Sequence, residues 1–133
     1  MTSFNEILRN EKRQRPKTKP RHLESNIQQG VVRWFRLQYP HYIIAAIPNG
    51  GFRNAREAAI LRDEGVLAGF SDLIIVVKGN VLFLEMKTPT GEQSAYQKAF
   101  QKKVETLGFK YIICRSIEQS ILAIERWIKN TSI

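Results

Sequence analysis

The segment "SDLIIVVKGNVLFLEMK", residues 71–87, constrains the fold more than any other stretch of the chain. Two apolar, β-branched runs are separated by "KGN", a turn signal, so the spacing predicts a β-hairpin with strands over 71–77 and 81–87. The second run ends in Glu85 and Lys87, an acid and a base two positions apart inside an apolar strand. Side chains alternate along a strand. Glu85 and Lys87 therefore share a face with Val81 and Phe83, while Leu82, Leu84 and Met86 point the other way. A two-residue turn fits in two ways. With Gly79–Asn80 at the turn, Asp72 lies opposite Lys87; with Lys78–Gly79, Asp72 lies opposite Glu85. Directly opposed residues share a face and diagonal neighbours lie roughly 7–8 Å apart, so both registers bring Asp72, Glu85 and Lys87 to one patch. A three-residue loop without a bulge would separate them.

The rest of the chain supplies helices and two more strands. Ile27, Val31, Trp34 and Phe35 recur at one-face spacing, which predicts a helix over 22–39 with Glu24 and Gln28 on a shared face. "YIIAAIP", 42–48, reads as a strand ended by Pro48. "NGGFRN", 49–54, is a loop, and 54–65 a helix capped by Asn54 and stopped by Gly65. A helix is expected from about Gly91 to Leu107, with Tyr96, Ala99, Phe100, Val104 and Leu107 on its packing side. "YIICRS", 111–116, is a fourth strand, and Ile117, Ile121, Ile124 and Ile128 then repeat at helical spacing. The fourth strand arrives through a helix, so it is expected to lie parallel to a strand of the same sheet by a right-handed crossover. The result is an α/β sandwich around a small mixed sheet.

A chain of 133 residues fits one domain. It has no long apolar run and no apolar leader, so neither a membrane span nor an export signal is expected. Cys114 is the single cysteine. That excludes an internal disulfide and fits a reducing, cytoplasmic compartment. The formal net charge is +9, and residues 1–21 hold seven basic residues against Glu6 and Glu11. "NEKRQRPKTKPR", broken by Pro16 and Pro20, reads as a flexible arm, which divides the chain into a basic arm over 1–21 and a domain over 22–133. Concentrated positive charge points to a polyanion, in the first place nucleic acid. Arg13, Arg15, Lys17 and Lys19 are the arm's candidate contacts. In "NGGFRNAR", Gly50 and Gly51 allow a phosphate to approach the backbone closely, and Arg53 and Arg56 supply charge. A plain loop before a capped helix accounts for that segment equally well.

Two carboxylates and an ammonium at the hairpin spacing suit a hard divalent cation. Mg2+ takes one or two carboxylates and leaves its other positions to water and phosphate. The Met86 backbone carbonyl is a further oxygen. Such a cation lowers the pKa of water from about 15.7 toward roughly 7 and offsets charge in a phosphoryl transition state. Lys87 then positions or deprotonates that water, or contacts the phosphate. An E-x-K triplet alone is a common solvated strand end; Asp72 on the paired strand moves the reading toward function. His22 and His41 lack metal-ligand spacing. Cys114 reads as a buried strand residue, Trp127 as core or dimer interface, and Tyr96 as a packing residue rather than a DNA contact.

Taken together, "GVLAGFSDLIIVV" and "VLFLEMKTPTGEQSAYQKAFQKKVETLGFKYIICRS" resemble the VRR-NUC domain, a branch of the PD-(D/E)xK nuclease superfamily, over about residues 22–118. The matching positions are Glu24, Gly65, Gly69, Asp72, Glu85, Lys87, Gln97 and "YIICRS". Ser71 departs from the pattern, standing where the family has a proline that shapes the start of the strand and carries no ligand. The resemblance implies a restriction-endonuclease-like αβββαβ core, a mixed four-stranded sheet flanked by helices, with 53–64 as an insertion. It implies a Mg2+- or Mn2+-dependent DNA endonuclease. Asp72 and Glu85 would be metal ligands, Lys87 the catalytic lysine, Glu24 a further acid ordering the metal or its water, and Gln97 a residue orienting Lys87 or a ligand. Similar stand-alone phage and bacterial proteins are homodimers that act on branched DNA such as four-way (Holliday) junctions, with no small-molecule cofactor. A phage-encoded member would work in the host cytoplasm. Alternatives are a nuclease for flaps or ordinary duplex, a non-catalytic nucleic-acid-binding protein on the same fold, and a subunit docking a partner through the helix at 117–130.

Overall fold

The computed structural model describes residues 3–6, 20–48 and 54–131. Its elements run α1 (Pro20–Gln38), β1 (Ile43–Ala46), α2 (Ala55–Asp63), β2 (Leu73–Val77), β3 (Asn80–Met86), α3 (Ala95–Thr106), β4 (Lys110–Cys114) and α4 (Ile117–Thr131). Residues 4–6 are also helical. The sheet order is β1-β2-β3-β4; β1, β2 and β3 are antiparallel neighbours, and β4 runs parallel to β3. This is the expected α/β architecture, with α2 inserted before β2 and α4 appended. Among the described residues no helix is long and apolar enough to cross a membrane.

The hairpin closes with Val77 opposite Asn80, so Lys78 and Gly79 form the turn. Gly79 takes φ 76°, a conformation that a residue without Cβ adopts at little cost. Alternation then sorts the sheet into two faces. Leu73, Ile75, Val77, Leu82, Leu84, Met86 and Cys114 join Ile27, Val31, Trp34 and Phe35 of α1 and Ile117, Ile121, Ile124, Trp127 and Ile128 of α4 in one apolar core. Each such side chain contributes about 1.5–3 kcal/mol by leaving water. The apolar stripe of α4 is thus buried within the chain, and Trp127 belongs to the core. The opposite face carries Phe83, Tyr111 and Ile113 under α3, where Phe100 and Val104 pack with Phe70.

The α3 helix differs from expectation in two ways. It starts at Ala95 rather than near Gly91, because Ser94 caps it: the Ser94 hydroxyl accepts the Gln97 N–H (3.2 Å). Its buried face is also narrower than the apolar spacing implied. Phe100 and Val104 are buried, but Tyr96 and Leu107, at the two ends of the stripe, are 68% and 75% exposed, and Ala99 is exposed as well. The intervening positions that turn toward the sheet are Gln97 and Gln101, and their bonds point to the chemistry of this face.

Candidate active site

The β2–β3 ladder ends at Leu73 opposite Leu84, which sets Asp72 opposite Glu85. Beyond that rung the Asp72 carboxylate replaces backbone as the acceptor: the Met86 N–H donates to Asp72 Oδ2 at 2.7 Å. In an extended strand the carbonyl of a residue points to the same side as its N–H, so the Met86 carbonyl faces the same end of β2. Glu85 is buried, with 2% of its surface exposed. Its Oε2 accepts a hydrogen bond from Gln97 Nε2 at 3.1 Å, while the buried Oε1 accepts none from the described residues; when protonated, the Glu85 carboxyl shares a hydrogen bond with Asp72. An unsatisfied buried acceptor costs about 1–3 kcal/mol, so the position is not explained by stability.

Burial, and then the neighbouring Asp72 carboxyl, push the Glu85 carboxyl up to about 9; the Lys87 ammonium pulls it down and Glu24 pushes it further up. Glu24, on α1, is also raised, first by burial and then by Asp72, against the lowering influence of Lys87 and the Thr88 backbone N–H. Glu24, Asp72, Glu85 and Lys87 thus lie near enough to influence one another's charge, from α1 and the open end of the central hairpin. At neutral pH the uncompensated Glu85 holds a proton.

Gln97 uses both ends of its side chain. Its Oε1 accepts the Ser94 N–H at 2.8 Å, completing the helix cap, and its Nε2 holds Glu85. The sequence left open whether this residue serves Lys87 or a ligand position; it contacts Glu85. Gly69 lets the first turn of α3 come this close. It takes φ 83°, and a Cβ there would run into the Tyr96 carbonyl and lie 2.8 Å from the Gln97 nitrogen.

The "YIICRS" match includes Arg115, the first residue after β4, but sequence reasoning assigned it no role. Its Nη1 donates to the carbonyls of Thr88 (2.7 Å), Gly91 (2.7 Å) and Pro89 (3.4 Å). The turn it grips follows Lys87 directly, and the Lys87 N–H is itself held by the Cys114 carbonyl at 2.9 Å. Arg115 thus fixes the segment between Lys87 and the cap of α3. Its signal was weak: a basic residue just past a strand, 24 to 27 positions away from its partners.

The donor set fits a hard cation. Glu85 Oε1 is buried and accepts no hydrogen bond from the described residues, Asp72 lies opposite it, and Glu24 and the Met86 carbonyl add oxygens at the same end of the sheet. Among the described residues no three His, Cys, Asp or Glu side chains are drawn tightly enough to hold a metal by themselves.

The remaining candidates fall elsewhere. Arg56 is exposed in the first turn of α2, and His22 and His41 are exposed. Cys114 is fully buried, and burial raises its thiol to about 11. Ser71, at the family's proline position, is buried and its hydroxyl donates to the Leu73 carbonyl (3.1 Å). Gly50, Gly51, Arg53, Arg13, Arg15, Lys17 and Lys19 lie outside the described residues.

Comparison with known proteins bears on the fold and the family. A solved structure described as a VRR_NUC domain protein is similar in fold, with a TM-score of 0.65, 24% sequence identity, and coverage of 80% of this chain and 88% of that one. No curated protein matches the chain. The family model for the VRR-NUC domain matches residues 9–118. The chain therefore belongs to the VRR-NUC family of PD-(D/E)xK nucleases.

Proposed function

We propose that the chain is a divalent-metal-dependent endonuclease that hydrolyses phosphodiester bonds of DNA, acting as a homodimer on branched substrates such as four-way junctions. The observation that carries this reading is the buried Glu85, with one oxygen held by Gln97 and the other accepting no hydrogen bond from the described residues, opposite Asp72. A protein that only bound nucleic acid would have no use for such a carboxylate.

Asp72, Glu85, Glu24 and the Met86 carbonyl would hold Mg2+ or Mn2+, which when bound would supply Lewis acidity toward the phosphate and a more acidic water. Gln97 orients Glu85. Lys87 presents an ammonium to the scissile phosphate and orders the attacking water, while Arg115 keeps the turn after Lys87 in place. The basic arm over 1–21 adds affinity for the DNA backbone. The test is incubation of the purified chain with end-labelled four-way junction, flap and duplex, with and without Mg2+ or Mn2+. The expected result is metal-dependent cleavage with the junction preferred. No cleavage under any divalent metal would overturn the enzyme reading, and equal rates on all three substrates would overturn the branched preference.

A further inference from the structure

A groove of about 670 Å3 runs along α1 beside the cluster, lined by Gln28, Gln29, Val32, Arg33, Arg36, Leu37 and Ala46. Glu24, Gln28, Val32 and Arg36 are spaced four apart, so they form one ridge that starts at the acid of the cluster and continues into the groove. The other wall is the end of β1. Ala46 pairs with Leu73, and the next residue, Ile47, donates its N–H to the Asp72 carbonyl at 2.9 Å. Both walls are therefore continuous with the residues around Glu85.

The lining is chemically one-sided. It holds two arginines, two glutamines and apolar side chains, and no carboxylate. By contrast, the depression on α3 that holds Lys98 and Lys102 also holds Glu105. Arg36 makes one long hydrogen bond to the Ile44 carbonyl (3.4 Å), and neither groove arginine has a carboxylate partner among the described residues. Two guanidiniums without a carboxylate, above an apolar floor, suit an anionic, sugar-bearing polymer. From Gln28 to Arg36 the helix rises about 12 Å, long enough to follow a short stretch of backbone.

We infer that this groove holds the sugar-phosphate backbone of the DNA strand flanking the scissile phosphate, with Arg33 and Arg36 on phosphates and Val32, Leu37 and Ala46 against sugars. The inference rests on the nuclease reading and names where that enzyme grips its substrate. Its test is fluorescence anisotropy of the full chain with a labelled DNA duplex and a labelled four-way junction, in EDTA, across a salt series. Arg33→Ala/Arg36→Ala should weaken binding about tenfold or more and make the log–log salt slope shallower by about 1.8, near 0.9 for each phosphate no longer neutralised. In the cleavage assay the same variant should raise KM with kcat little changed. Arg126→Ala/Lys129→Ala on α4, which removes the same charge elsewhere, should leave the slope unchanged.

Wild-type affinity and slope in the groove variant would overturn the inference. So would an equal loss in the α4 variant, since the effect would then be one of net charge. A wild-type chain that binds DNA through the groove arginines yet never cuts it would leave the groove standing and remove the nuclease reading. A wild-type chain that cuts DNA indifferently to both arginines would do the reverse.

Discussion

The two faces of the sheet are built to different rules. The face under α1 and α4 is apolar apart from Ser120, with Leu73, Ile75, Leu82, Leu84, Val31, Phe35 and Ile124 essentially free of solvent. The face under α3 mixes an aromatic cluster, in which Phe70 and Phe100 lie 4.5 Å apart, with Glu85, Gln97, Gln93 and the Tyr111 hydroxyl. The first face gains stability by burial alone. The second holds a buried acid, one oxygen of which accepts no hydrogen bond from the described residues. One strand, β3, serves both, with Leu84 and Met86 on one side and Glu85 between them on the other. The difference teaches that the apolar face keeps the chain folded firmly enough for the polar face to hold a destabilising group in place.

That contrast breaks cleanly if substitutions on the two faces separate activity from stability. The largest effect is expected from Glu85→Gln. Cleavage should fall about a thousandfold or more, on the order of 4 kcal/mol in the barrier, while the melting temperature of the metal-free protein holds or rises. An active variant would detach Glu85 from the chemistry. Next comes Ile75→Ala on the apolar face, which should cost about 3 kcal/mol by chemical denaturation and leave per-molecule activity intact below the transition. If activity at low temperature collapsed with it, the faces would not be independent.

Gly69→Ala tests the hinge between the faces and α3. Strain at positive φ and the clash with the first turn of α3 should cost about 2 kcal/mol, with a loss of activity beyond what unfolding explains. A neutral variant would mean that α3 can shift without disturbing Gln97 and Glu85. A fourth effect is in pH. The Glu85 carboxyl is raised from 4.5 to about 9 in the folded chain, so the folded state binds more protons between those values. Its contribution is fully present below about pH 4.5 and is lost as the pH rises through about 9. Metal-free protein should therefore lose stability across that window, by at most about 1.4 kcal/mol per pH unit for this one proton. In Glu85→Gln that slope should flatten; an unchanged slope would place the proton elsewhere.

Much of this was legible in the residues because alternation has a period of two. It assigned Glu85 and Lys87 to one face and Leu84 and Met86 to the other from the order of residues alone. The same period explains what stayed open. Moving the hairpin by two residues leaves every side chain on its face, so the apolar pattern could not choose between Asp72 opposite Glu85 and Asp72 opposite Lys87. The turn chose, with Gly79 at the positive-φ position. Tyr96 and Leu107 misled because spacing gives a direction around the helix but not where the sheet beneath it ends. The role of Arg115 and the α1 groove were not legible for a different reason. A guanidinium that grips a distant turn and one that lines a groove look alike in sequence, and both look like an ordinary solvated arginine.

The central claim is that Glu85 and Asp72 hold a divalent cation where Glu85 otherwise holds a proton. Calorimetric titration of Mn2+ into the full chain at pH 7, repeated in buffers of different ionisation enthalpy, tests it directly. The account predicts binding that releases close to one proton per metal, with both binding and release lost in Glu85→Gln. Binding of equal strength in the variant, or binding by the wild type with no proton released, would contradict it.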